Sequence, residues 1–108
     1  MDWEQAARAF SALGSEARLQ VLRTLVRAGP EGLSVGQIQE RTSIAPSTLA
    51  HHLKFLRAGG VIEQSRDGRS TLNHACFDQL EELAGFILSE CCTDARPKGS
   101  RPCLTPSN

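Results

Sequence analysis

Ser43-Ile44-Ala45-Pro46-Ser47-Thr48-Leu49-Ala50-His51-His52-Leu53-Lys54-Phe55-Leu56-Arg57-Ala58-Gly59-Gly60 is the stretch on which the fold turns. Pro46 or Ser47 opens a helix, Leu49, Leu53 and Leu56 recur at helical spacing, and the Gly59-Gly60 pair stops it. One flank is therefore apolar and anchored. The opposite flank carries Ser47, Thr48, His51, Lys54 and, at its margin, His52, with no acidic residue anywhere from Ser43 to Gly60. Short hydrogen-bonding groups followed by a cation, on a helix that avoids carboxylates, suit a polyanion.

Upstream, Ser34 caps a short helix over Val35 to Thr42 that carries Val35, Ile38 and the stem of Arg41. A turn through Ser43-Ile44-Ala45 joins it to the helix just described, which makes a helix-turn-helix. Any helical hairpin shares that pattern, so the downstream segment has to sharpen it. Val61 to Arg66 and Ser70 to Ala75 are two short strand-like runs separated by the turn signal Asp67-Gly68, and Arg66 and Arg69 flank the tip. A basic-tipped hairpin directly after a helix-turn-helix is a wing that can follow a phosphate backbone or reach a minor groove. The alternative is a solvated hairpin with incidental arginines.

The remaining elements are helical. Asp2 to Leu13 is amphipathic, with Trp3, Ala6, Ala7, Phe10 and Leu13 on one side. That stripe covers either the intramolecular core or a dimer seam. After Gly14, Ser15 starts a helix from Glu16 to Arg27 that is apolar almost all round and is expected to be central core; Ala28 to Gly32 is a loop, and Leu33 pairs briefly as a strand. The last helix runs from Phe77 or Asp78, the expected cap, to about Cys92, with Phe77, Leu80, Leu83, Ala84, Ile87, Leu88 and Cys91 as its apolar stripe. Two chains can bury a four-helix seam between their first and last helices. The expected fold is mainly α with a small β-hairpin, a winged helix-turn-helix domain over residues 1–92. Residues 93–108, with Pro97, Gly99, Pro102 and Pro106 among polar residues, are expected to form a flexible tail.

A chain of 108 residues buries a modest fraction of its surface, so a partner subunit would add stability. Its 12 basic and 12 acidic residues cancel, so the distribution of charge rather than its sum points to a partner. Ser43 to Ser70 is mildly basic, with Lys54, Arg57, Arg66 and Arg69 against Glu63 and Asp67, whereas Asp78 to Glu90 carries Asp78, Glu81, Glu82 and Glu90 and no basic residue. The acidic start Met1-Asp2-Trp3-Glu4 does not resemble a secretory leader, and no apolar run approaches the ~20 residues of a membrane span. A cytoplasmic protein with no membrane partner is expected. No Ser-His-Asp set, phosphate loop or paired carboxylates can be assembled, which disfavours an enzyme.

The order of elements, together with Leu49-Ala50-His51-His52-Leu53-Lys54-Phe55-Leu56-Arg57-Ala58-Gly59-Gly60-Val61-Ile62 and Arg66-Asp67-Gly68-Arg69, resembles the ArsR/SmtB family of bacterial metal- and metalloid-responsive repressors. The likeness covers roughly residues 3 to 92. It implies a homodimer joined through the first and last helices that binds double-stranded operator DNA and releases it when an inducer binds. Carried onto this chain, the DNA-binding positions are Ser47, Thr48, His51, His52 and Lys54, with Arg66 and Arg69 on the wing. Ala50 stands where many members have serine, which removes one hydrogen-bond donor.

Four cysteines in a reducing compartment suggest thiols, metal ligands or redox sensors rather than a disulfide framework. Cys91 and Cys92 are adjacent, and Cys103 follows on the tail. Three thiols suit trivalent arsenic or antimony, which is pyramidal and thiophilic, better than zinc, which takes four donors. Other inducer sites of the family fit less well. Ser34-Val35-Gly36 replaces the Cys-x-Cys of one class, the last helix has no histidine, and the second helix has no cysteine to pair in a redox switch. The expectation is an As(III)- or Sb(III)-responsive repressor with Cys91, Cys92 and Cys103 as metal ligands. The alternatives are a winged-helix regulator responding to another soft metal, to thiol oxidation, or to no small ligand. Cys76 reads as a small buried hydrophobe, Cys91 as either ligand or packing, and Cys92 as the more exposed of the pair. His51 and His52 diverge by ~100° around their helix and suit DNA better than a shared metal; His74 is a surface or core residue of the wing.

Overall fold

The computed structural model describes residues 1–95. The order is α1 (Trp3–Ala12), α2 (Glu16–Ala28), α3 (Val35–Thr42), α4 (Pro46–Ala58), β1 (Ile62–Asp67), β2 (Ser70–Ala75) and α5 (Phe77–Leu88). The expected winged helix-turn-helix is the observed fold.

Local chemistry sets most of the helix starts. Asp2 caps α1, its Oδ1 accepting from the Gln5 amide at 2.8 Å while the Gln5 side chain accepts from the Asp2 amide at 2.9 Å. Ser34 and Gln37 form the same reciprocal pair at the start of α3, and Ser15 Oγ accepts from the Arg18 amide at α2. Pro46 occupies the first turn of α4, where its missing N–H costs nothing, and Ser43 turns the chain between α3 and α4 at φ 62°. The start of α5 differs from expectation. Its N-cap is Cys76, which makes no side-chain cap, and Asp78 lies within the first turn, where its charge favours the helix dipole instead.

β1 and β2 pair antiparallel from Ile62↔Ala75 to Asp67↔Ser70. The corner is therefore Gly68-Arg69, one residue beyond the expected Asp67-Gly68, and Gly68 adopts φ 64°, which a residue with a β-carbon resists. Leu33 adds the expected short edge, exchanging two 2.8 Å backbone hydrogen bonds with Asn73.

The core is a single cluster drawn from all five helices and the hairpin, centred on Val21, Leu25, Ile38, Leu49, Leu56, Val61 and Ile62. Burying each of the leucines contributes about 1.5–3 kcal/mol. Two expectations about faces and one about length change. α1 turns Ala6, Ala9 and Ala12 inward and leaves Trp3 82% exposed and Phe10 outside, because small residues allow α1 to approach α4 closely. α2 buries only Val21, Leu22 and Leu25, and Leu19 stays 51% exposed, since neighbours cover one side of the helix. α5 ends at Leu88 rather than near Cys92. Ser89 leaves helical geometry, its amide and hydroxyl both donate to Phe86 O, and the chain continues through turns with Glu90 and Cys92 at positive φ. No helix among the described residues is long and apolar enough to cross a membrane.

Candidate nucleic-acid interface

The buried stripe of Leu49, Leu53 and Leu56 fixes how α4 lies on the core, and helical geometry then determines what it presents outward. Ser47, Thr48, Ala50, His51 and Lys54 are all exposed. Ser47, His51 and Lys54 follow one another at i, i+4 and i+7 and so share one face. The helix offers hydroxyl, imidazole and ammonium groups and no carboxylate, the donor-rich set that base edges and phosphates accept.

His52 is placed differently from its neighbour. The ~100° step per residue carries it round to the flank of α4, where it is half-buried and its Nδ1 is enclosed without a hydrogen-bond partner. Burial, then the Arg18 charge, then His51, hold its pKa below the ordinary 6.5, so the neutral ring is favoured.

The wing stands beyond the end of α4. Arg66 and Arg69 are exposed, Arg66 near the end of β1 and Arg69 in the corner itself. The attachment between α4 and the wing escaped the sequence reading. Arg57 Nη1 donates to Gln64 Oε1 at 3.2 Å, and Gln64 Nε2 donates to Asn73 Oδ1 at 2.9 Å. Asn73 is fully buried, and its backbone is the one paired to Leu33. This chain of one guanidinium and two amides ties the last turn of α4 to both wing strands. Nothing local marks Asn73 as interior, because its burial depends on Leu33 and Gly32 arriving from forty residues away; a β-carbon on Gly32 would sit 2.3 Å from Asn73 O.

Two further contacts border the exposed face. Phe55, 45% exposed, meets His51 edge to face with centroids 4.9 Å apart, and the Arg18 guanidinium lies 4.9 Å from the Phe55 centroid. The spacing of His51 and Phe55 at i, i+4 was the available signal for the first contact; the second joins two helices and had none.

The cysteines fall into two groups. Cys76 is half-buried between β2 and α5 rather than fully buried as expected, and burial, aided by Glu63, pushes its thiol pKa above the usual value. Cys91 and Cys92 lie in the turns after α5 with their sulfurs 3.2 Å apart. Their exposure reverses expectation: Cys91 is exposed and Cys92 half-buried, because the helix that would have set their directions has already ended. Cys103 lies outside the described residues. Among the described residues no group of three or more His, Cys, Asp or Glu side chains is arranged to hold a metal ion.

A helix-turn-helix with a carboxylate-free second helix, followed at once by a basic-tipped hairpin, defines a winged-helix DNA-binding transcriptional regulator. Residues 13–65 match the helix-turn-helix domain family. Over 82 residues, 75% of this chain and 81% of the relative, the sequence is 39% identical to the HTH-type transcriptional regulator YceK of Bacillus subtilis. It is 33% identical over 69 residues to the HTH-type transcriptional regulator YgaV of Escherichia coli, covering 64% of this chain and 68% of the relative. The fold matches an ArsR-like transcriptional regulator from Rhodococcus sp. RHA1 with a TM-score of 0.71 and 27% identity, over 79% of this chain and 77% of that one. The chain belongs to the family of HTH-type transcriptional regulators, and its winged helix-turn-helix fold is shared with the ArsR-like regulator from Rhodococcus.

Proposed function

We propose that this regulator binds operator DNA as a cytoplasmic homodimer and represses transcription until a thiophilic trivalent metalloid, As(III) or Sb(III), binds Cys91 and Cys92 together with Cys103. The observation that carries DNA binding is the outward set Ser47, Thr48, His51 and Lys54 on a helix anchored by three buried leucines. Phosphate contacts from Lys54, Arg66 and Arg69 supply most of the affinity, and Ser47, Thr48 and His51 discriminate bases. Dimerisation is supported by the apolar surface that α1 and α5 leave uncovered. Trp3 stacks edge to face on Phe86, and Ile87 beside it is 63% exposed. A two-fold pairing there would set the two copies of α4 about 34–36 Å apart, one duplex turn.

The inducer reading is supported by the two adjacent sulfurs. Cys91 and Cys92 bring two sulfur donors within 3.2 Å of each other, and sulfur is the donor type that soft, thiophilic ions prefer. Cys103 would supply the third sulfur. Because this pair follows α5 directly, a ligand there that prefers the DNA-incompetent dimer shifts the equilibrium by its differential affinity, ordinarily ~1–3 kcal/mol. The test is a DNA-shift titration with arsenite and antimonite on the wild type and on Cys91→Ser, Cys92→Ser and Cys103→Ser. Release of DNA by the wild type and retention by the variants is the expected result. A Cys92→Ser protein that still leaves its operator on adding arsenite overturns the inducer site and leaves DNA binding untouched.

A further inference from the structure

One side chain joins the three helices that meet beside the recognition face. Arg18 donates from Nε to Ala12 O at 2.6 Å and from Nη2 to Ser11 O at 3.4 Å, closing the carboxyl end of α1. Held by those carbonyls, the guanidinium sits over the ring of Phe55 on α4 at 4.9 Å. The same ring receives His51 at 4.9 Å with the planes 77° apart. Phe55 lies outside the core cluster and is nearly half exposed, so burial does not account for a large aromatic at this position.

An imidazole standing free on a helix surface samples several rotamers and loses that freedom when it docks on a base. Edge-to-face contact with a ring that is itself clamped removes much of the freedom beforehand. We propose that Phe55, held by Arg18, is the platform that fixes the His51 imidazole in the orientation from which it reads one base pair in each half-site. Phe55 and Arg18 are thus positioning residues for sequence discrimination. The inference rests on the reading of His51 as a base-contacting residue.

Selection of a randomised duplex library by the full-length protein, followed by competition binding on single-position operator variants, tests it. His51→Ala identifies the base-pair position that the imidazole reads. Phe55→Ala and Phe55→Leu should lower discrimination at that same position about 3- to 10-fold, with affinity for unrelated DNA unchanged. Phe55→Tyr, which keeps the ring, should retain it. Arg18→Lys keeps the charge but loses the planar fork, and should relax the same position. In the His51→Ala/Phe55→Ala double variant the effect of Phe55 should vanish, since the residue acts only through the imidazole. Phe55→Leu preserves bulk and supplies the readout if the alanine variant melts early.

Discrimination lost at a different position, or a double variant whose losses add in full, overturns the platform and makes Phe55 an independent base contact. A profile that His51→Ala leaves unchanged overturns both the platform and the assignment of His51, while DNA binding stands. A wild type that selects no sequence overturns the DNA reading itself, and the platform with it.

Discussion

Gly59 in the last turn region of α4 lies so close to α1 that a β-carbon built on it would stand 2.5 Å from the Ala12 methyl and 3.2 Å from Arg8 O. The requirement there is space rather than backbone conformation, since φ at Gly59 is −79°. Two small residues let α1 lie against the recognition helix, and that approach turns Trp3 outward.

Gly59→Ala should therefore push α1 away from α4 and cost about 1–3 kcal/mol, as overpacking in a close contact does. Urea denaturation followed by circular dichroism measures it. A loss below a few tenths of a kcal/mol would show that α1 slides freely over α4.

Trp3 and Ile87 are more than half exposed in a single chain, so a charge at either should leave the subunit folded and disrupt only a seam between copies. Ile87→Glu is expected to shift sedimentation from dimer to monomer and to weaken operator binding at least tenfold, because two half-sites are no longer held together. An unchanged dimer would move the seam to another surface.

Lys54 and Arg69 are exposed cations on the recognition helix and the wing corner. Lys54→Ala and Arg69→Ala should each weaken binding to all sequences alike and lower the slope of log affinity against log salt by about 1. Fluorescence anisotropy across a salt series, on operator and unrelated duplexes, reads both effects.

His52 links stability to pH. Its folded-state pKa is depressed by burial, by Arg18 and by His51, so below the ordinary value of 6.5 the unfolded chain binds the proton more readily than the folded one. The contribution of the neutral ring is complete above pH 6.5 and is lost as pH falls toward the lower folded value. The wild type should accordingly lose more thermal stability than His52→Gln between pH 7.5 and 5.5. Parallel melting curves for the two proteins would refute the assignment.

The elements of this protein were legible because their signals are local. Capping pairs such as Asp2 with Gln5 and Ser34 with Gln37, the Leu49-Leu53-Leu56 stripe and the glycines at the end of α4 all act within one or two helical turns. The exposed face of Ser47, His51 and Lys54 followed from the same periodicity. The hairpin was legible too, although its corner moved one residue because pairing of Asp67 with Ser70 is a property of both strands together.

By itself, then, the sequence determined the order and kind of the elements and the chemical character of the recognition helix, since helical periodicity and caps need no distant partner. Only the tertiary structure decided which face of each element is covered. Trp3, Leu19 and Asn73 take their burial or exposure from segments far away in the chain. The grip of Arg18 on both α1 and Phe55 is of the same kind, because a hydrogen bond and a ring contact between three helices exist only once their packing has brought them together.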